Sequence, residues 1–408
     1  MDDIVADYDV VIVGGGPAGA SAAIHLATAG ARVLLAEQKK FPRPKLCGEF
    51  ISPECFAHFV RLGVMERMEG AGGAKLTETV FYSPGGNCVT VPSEWFGSGS
   101  QALGLSRAEM DRRLLWRARE AGACVLEETR AAGLLIQNGC VGGVRLETHG
   151  EIRTYRSLIT IDATGRARAL ARRIEKKGPA GCRPRLKKRA PLVAFKTHLV
   201  AARGAPSSCE IYFYRGGYGG LSPVEGGLSN LCFIASAQDV RARGGDAARV
   251  MRELVASNKR AAHTLSEARP VSGWLSVALE SFGRRELVPA DGLIAVGDAA
   301  SFIDPFTGSG MLMALESGAL AAETIANWLR ASRARSTPFT ALAHDYRARY
   351  DEKFNARLRL CSLLRRAAFA PQTVVEALVR TFGASASLRR CVARATRRRS
   401  IADLPAQG

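Results

Sequence analysis

The chain has 408 residues, 47% of them hydrophobic and 23% charged, a composition suited to two or three packed units of about 100–200 residues rather than to a disordered chain. Its formal net charge is +19, and arginine supplies 46 of the 57 basic residues. That balance fits either an anionic partner or a compositional bias of the coding sequence, and nucleic acid is excluded as the expected partner because no helix-turn-helix, zinc or RNA-binding motif accompanies the charge.

The N-terminus, MDDIVADYDV, is acidic and leads straight into a strand. It lacks the basic and apolar regions of a secretory signal, and no run of about 18 apolar residues follows. The expected location is cytoplasmic, with peripheral membrane association as the alternative. Residues 10–13 (VVIV) read as a strand buried on both faces, as in a parallel sheet. Gly14, Gly16 and Gly19 follow as GxGxxG, with Pro17 and Ala18 inside the turn. An Ala-rich helix is expected over 20–29 and a second strand over 32–36, with Glu37 and Gln38 at its end. Each piece has a task in holding a dinucleotide. Gly14 permits the tight turn, Gly16 lets the backbone approach a pyrophosphate, and Gly19 lets the helix pack against the strand. The helix N-terminus presents unpaired N–H groups and a partial positive charge to phosphate. Glu37, 18 residues after Gly19, is placed to accept ribose hydroxyls. This fingerprint alone does not choose between FAD and NAD.

Beyond it, the segment RPKLCGE carries Arg43, Lys45, Cys47, Gly48 and Glu49. A helix is expected over 105–118, with Arg107 in its first turn, and ITIDATG at 159–165 runs a strand into Asp162. Strands over 80–82, 191–199, 211–214 and 231–235 alternate as in a half-exposed sheet. The segment LIAVGDAASFIDPFTGSG, at 293–310, is an apolar strand, a Gly-Asp pair, a Gly-rich loop and a helix start near 308–310. Residues 340–400 read as helices, and the stretch 354–369 is amphipathic and basic, with more arginines clustered over 389–399. That region is either a capping helix with a solvated arginine face or a docking surface for an anionic membrane or an acidic acyl carrier protein. The ten cysteines, Cys182 among them, are scattered singly, without a CxxC pair or zinc spacing, so reduced thiols and no metal site are expected.

In their order and spacing these motifs resemble the para-hydroxybenzoate hydroxylase superfamily over roughly residues 8–330. The resemblance implies an α/β fold: a Rossmann-like, glutathione-reductase-like FAD-binding domain with a β-sheet substrate domain and C-terminal helices. The FAD-binding domain is expected over 1–75, 100–165 and 285–335, the substrate domain over 76–99 and 166–284, and a basic helical region over 336–408. The 293–310 segment resembles the second FAD motif of such flavoproteins. This implies FAD as cofactor, with Asp298 on the ribityl chain and Pro305, Gly308, Gly310 and Met311 beside the isoalloxazine ring. Carried over with them as cofactor contacts are Gly14, Gly16, Pro17, Ala18, Gly19, Glu37 and Gln38, and also Lys45, Cys47, Gly48, Arg107 and Ala131. Asp162 is the weaker candidate, because the usual Asp-Gly pair is replaced by Ala-Thr-Gly at 163–165.

Two segments resemble the geranylgeranyl-reductase-like branch. RPKLCGE is similar to its Cys-Gly motif beside the flavin, and GYGGLSP, at 217–223, is similar to its Tyr-x-Trp-x-Phe-Pro motif, with Gly220 and Ser222 in place of the two rings. The resemblance places Tyr218, Gly220, Ser222 and Pro223 in the substrate pocket and makes Cys47 and Tyr218 the candidate catalytic side chains. The missing rings imply a wider or differently shaped substrate. The two-Trp signature of flavin halogenases is absent. The leading expectation is an FAD-dependent oxidoreductase that reduces a carbon–carbon double bond of a lipophilic isoprenoid- or polyketide-like substrate by hydride from flavin N5. A flavin monooxygenase hydroxylating an aromatic or polyketide substrate is one rival, and a flavin-binding protein that does not turn over is another. With one dinucleotide fingerprint in the chain, NADPH or NADH is expected to bind transiently, or a ferredoxin-type protein to supply the electrons.

Overall fold

In a computed structural model, which describes residues 4–96, 101–177, 192–279, 282–334 and 337–395, the apolar run VVIV forms the interior of strand Ile4–Val13. Residues 97–100, 178–191, 280 and 281, with Cys182 and Pro191 among them, and arginines 397–399 lie outside the described residues. Val10, Val11 and Ile12 are fully buried, because parallel neighbours flank the strand on both sides. Those neighbours are Val33–Ala36 and Glu151–Asp162. Cys124–Leu126 extends the sheet on one side, and Leu293–Ala295 pairs with the last residues of Glu151–Asp162 on the other. The first half of that long strand turns instead to an antiparallel hairpin of Thr129–Gln137 and Cys140–Thr148. The parallel strands end on one line of register, through Leu126, Ala36, Val13, Asp162 and Ala295. Open α/β sheets bind ligands beyond that edge.

Helix Pro17–Thr28 leaves this edge directly. It begins three residues earlier than the alanine run suggested, because proline fits the first helical position, where its missing N–H costs nothing. Its small residues let it pack closely on the long helix Gly310–Ala334. A Cβ at Gly318 would lie 2.3 Å from Ala18 O, and one at Gly19 would lie 1.9 Å from Gly14 O. Gly14 itself has φ +111°. The third helix at this edge, Arg107–Glu120, is capped by Ser106, whose Oγ accepts from Glu109 N at 3.2 Å.

Among the described residues the second large sheet has eight strands, with Gly217–Pro223 between Ser208–Tyr214 and Ser229–Ser236. Next to these stand Leu192–Val200 and Glu78–Tyr82. One face packs Tyr212, Leu231 and Phe233 against Val250 and Val255 from short helices. The other face presents Phe213, Tyr218 and Ile234 to Val375 and Val379 of helix Gln372–Ala384. The basic stretch 354–369 lies mostly within the 30-residue helix Phe339–Ala368, and only part of its arginine face is solvated, with Arg359 and Arg366 exposed. Arg357 is buried at 4% exposure, hydrogen-bonded to Glu316 at 2.5 Å, and Arg365 Nε reaches Asp304 Oδ2 at 3.2 Å. The helix is wedged between Gly310–Ala334 and the loop before it, so these two arginines turn inward to acidic partners.

Candidate functional site

A cavity of about 730 Å³ runs from the carboxyl edge of the first sheet to the inner face of the second. At the first end it meets Gly14, Gly16, Pro17 and Ala18 of the turn, then Glu37 and Gln38 of the next strand end. Glu37 is held in place by the backbone: its Oε2 accepts from Gly15 N at 2.8 Å and its Oε1 from Lys39 N at 3.1 Å. Arg43 Nη2 stands 3.6 Å from the same carboxylate. Arg107 makes a bidentate pair with the fully buried Asp111, at 2.8 Å for both bonds. Burial disfavours the charge on Arg107, but Asp111 outweighs it and raises the guanidinium above its ordinary pKa.

These residues fit a dinucleotide. A Cβ at Gly16 would meet nothing closer than 3.9 Å, and what it would approach are the guanidinium groups of Arg43 and Arg107. The turn is thus an open cradle walled by two cations, as a pyrophosphate needs. Arg43 Nη1 is buried 3.3 Å from Asp111 Oδ2, an ion pair that meets no hydrogen-bond geometry among the described residues. Added Cβ atoms at Gly48 and Gly310, which also line the cavity, would touch nothing within 4 Å, so the space beside them could take a flat ring. Asp298 lines the cavity with no hydrogen bond to its carboxylate among the described residues. Burial raises its pKa, against the pull of Arg166, Lys45 and Arg107. Lys45 lines the same space, and burial, then the charges of Arg107 and Arg43, lower its pKa.

The loop carrying Lys45, Cys47 and Gly48 is pinned to the second sheet from behind. Lys196 Nζ donates to Lys45 O at 3.1 Å, and Asn230 Nδ2 donates to Cys47 O at 3.0 Å. Glu49, fully buried and at φ +56°, gathers three donors: Arg107 N at 2.8 Å, His198 Nε2 at 2.7 Å, and Lys196 Nζ. Burial pushes the Glu49 carboxyl up, but His198, Lys196 and the Arg107 amide together hold it below the usual carboxylate value. The Cys47 thiol lines the cavity and also accepts from Glu49 N at 3.5 Å.

Tyr218 also lines the cavity, but its hydroxyl is committed: it donates to Asp304 Oδ1, which also accepts from Phe306 N at 3.0 Å. Phe306 and Phe369 meet the Tyr218 ring edge-on at 5.3 and 5.9 Å between centroids. Burial raises the Tyr218 hydroxyl well above its ordinary pKa, and Asp304 raises it further. From here on the walls are apolar: Phe81, Val89 and Phe213 from the sheet, and Val375, Leu378, Val379 and Phe382 from helix Gln372–Ala384.

Of the residues the sequence singled out, Gly48, Arg107, Ala131, Pro305, Gly308, Gly310, Met311 and Gly220 also line the cavity. Gly19, Ser222 and Pro223 are not in its wall. Gly19 packs the helix on the turn, Ser222 sits beside the Cys209 thiol, and Pro223 O would lie 1.9 Å from a Cβ on Gly104. Asp162 is spent on backbone, accepting from Thr164 N at 3.0 Å, Leu170 N at 3.1 Å and Ala171 N at 2.9 Å. Sequence reasoning missed the wall formed by 375, 378, 379 and 382, although that spacing is one face of a helix. It also missed Lys196 and His198, for which no local pattern exists.

A family model described as FAD binding domain matches residues 7–346. A digeranylgeranylglycerophospholipid reductase of Methanocella arvoryzae is 31% identical over 80% of this chain and 79% of its own length. Another, numbered 2, from Methanopyrus kandleri is 28% identical over 85% of this chain and 83% of its own. Among solved structures, a geranylgeranyl bacteriochlorophyll reductase-like protein from Thermoplasma acidophilum superposes with a TM-score of 0.77 at 22% identity, covering 96% of each chain. A flavin-dependent brominase superposes with a TM-score of 0.75 at 21% identity, over 92% of this chain and 93% of its own. At those identities the two structures speak to the fold.

Proposed function

The chain belongs to the FAD-binding-domain family, in its geranylgeranyl-reductase-like branch of FAD-dependent oxidoreductases, and on that premise we propose that it reduces carbon–carbon double bonds in a long isoprenoid-type lipid. The observation that carries the reading is the continuity of the cavity: the dinucleotide turn and the apolar walls of Phe213, Val379 and Phe382 enclose one space. An apolar chain lying there would reach the cofactor from the side of the second sheet. The names of the relatives, reductases of digeranylgeranylglycerophospholipids, support the same substrate class.

When bound and reduced by its electron donor, FAD would supply the hydride that a double bond needs. The protein's part is to hold and orient. Arg43 and Arg107 face the open side of the Gly16 turn, where they would neutralise the pyrophosphate, and Glu37 would accept the ribose hydroxyls. Asp298 would accept from the ribityl chain, and the N-terminus of helix Gly310–Ala334 would direct its partial positive charge at the ring. Lys45, in the wall with a lowered pKa, is the side chain we assign to proton delivery. The apolar walls exclude water and align the chain by its length. Electrons would come from NADPH or NADH binding transiently, or from a ferredoxin-type protein. The test is anaerobic: the FAD-loaded protein is reduced with dithionite and mixed with a geranylgeranyl glycerolipid. Reoxidation of the flavin absorbance without O2 is the expected result. A flavin that stays reduced until O2 is admitted would count against the reductase reading and favour the monooxygenase.

A further inference from the structure

The apolar end of the cavity reaches the last two described helices, Gln372–Ala384 and Ala386–Ala395. Phe96, Leu378, Phe382, Arg389, Val392 and Ala393 line it there. Arg389 is half-exposed while lining the cavity, so this end of the space comes to the surface. The surface around it has a particular chemistry. Arg380, Arg390 and Arg394 are exposed on the two helices, and the one acidic residue on them, Glu376, is occupied by Gly85 N at 2.6 Å and Asn87 Nδ2 at 2.9 Å. The apolar side chains of Val374 and Leu388 stand out at 44% and 40% exposure. Across the opening, the Trp95 ring lies 5.2 Å beneath the Arg390 guanidinium, which joins the turn Ser93–Phe96 to the last helix.

Arginines, protruding aliphatic side chains and a tryptophan around an apolar opening are the components of an interfacial membrane contact. No described helix is long and apolar enough to cross a membrane, so any contact made by these helices lies in the interface plane. We propose that the face formed by helices 372–384 and 386–395 and the turn 93–96 docks on an anionic lipid bilayer, so that a lipid chain passes from the bilayer into the cavity beside Arg389. This rests on the lipid-reductase reading above. An acidic carrier protein would match the arginines too, but an opening meant for a free lipid chain faces the bilayer that holds such lipids.

The experiment is co-sedimentation of the full FAD-loaded chain with vesicles of phosphatidylcholine alone and of phosphatidylcholine with phosphatidylglycerol, at low and high salt. Binding is expected with phosphatidylglycerol and should weaken at high salt. Replacing the two exposed arginines of the last helix (Arg390→Gln with Arg394→Gln) should lower partitioning about 30-fold, while the flavin spectrum shows that the protein remains folded. Leu388→Ser should weaken binding in a way that salt does not mask. Absent binding to anionic vesicles, binding unchanged in the double variant, or a saturable complex with an acidic acyl carrier protein in place of vesicles would each overturn the proposal. Reduction of detergent-dispersed lipid without vesicle binding would overturn the docking surface alone. Vesicle binding through these arginines with the lipid left unreduced would keep the docking surface and sink the reductase reading.

Discussion

Glu49→Gln removes one charge from the buried group behind the Cys47 loop. Glu49 is fully buried and Lys196 is 2% exposed, so neither can turn to water when its partner is lost. The glutamine keeps the volume and can still accept from Arg107 N, but it leaves Lys196 Nζ as a buried cation without a counter-charge. Breaking a buried pair from one side costs about 3–5 kcal/mol, against a typical total stability of about 5–15 kcal/mol. The variant should therefore unfold at a clearly lower urea concentration, followed by flavin fluorescence and circular dichroism. Adding Lys196→Met removes the stranded cation and should restore part of the loss, giving a coupling energy in a double-mutant cycle. The pH dependence has a definite sign. The carboxyl of Glu49 is lowered in the folded state, so its contribution is complete above the ordinary value of 4.5 and fades as pH falls through the lowered one. Glu49→Gln should lack that part of the acid sensitivity. A variant within about 0.5 kcal/mol of the parent, or a Lys196→Met cost that is the same in both backgrounds, would refute the reasoning.

Other substitutions separate the two ends of the cavity. Glu37→Ala should weaken FAD binding by about 1.5–3 kcal/mol, the loss of a charged hydrogen bond, measured by fluorescence titration of the apoprotein. Tyr218→Phe should cost about 1–3 kcal/mol of stability, because Asp304 loses a buried donor; since that proton already goes to Asp304, kcat should hold. A large drop in kcat at unchanged stability would instead make Tyr218 catalytic. Leu378→Trp, in the apolar wall, should raise KM for long-chain lipids and leave FAD affinity intact; equal KM values for short and long chains would argue against a chain-length-selecting wall.

What the sequence made legible follows from how local each signal is. The GxGxxG turn, its strands and Glu37 lie within about 30 residues, the span in which one supersecondary unit is written. Asp298 lies at the far end of the chain, yet its Gly-Asp pair and Gly-rich loop carry their own pattern, and the fold brings them to the same cavity. Glu49 is the last letter of the segment RPKLCGE, which carries no sign of its buried role. Its partners Lys196 and His198 lie 147 and 149 residues away, in a strand whose pattern announces only a sheet. The stripe at 375, 378, 379 and 382 was readable as an apolar helix face, but such a face does not say whether it packs on a core or lines a tunnel. Ser222 and Pro223 show the limit of transferring a motif. They follow Gly220 along the strand, but by position 222 the strand has passed the cavity and reached Gly104.

Under the proposed reduction the bound lipid gains hydrogen and not oxygen. The direct measurement is mass spectrometry of a geranylgeranyl glycerolipid after turnover with FAD and a reductant under labelled O2. The expected product is heavier by two hydrogens for each double bond reduced, with no label incorporated. A product carrying labelled oxygen, with its double bonds otherwise intact, would contradict it.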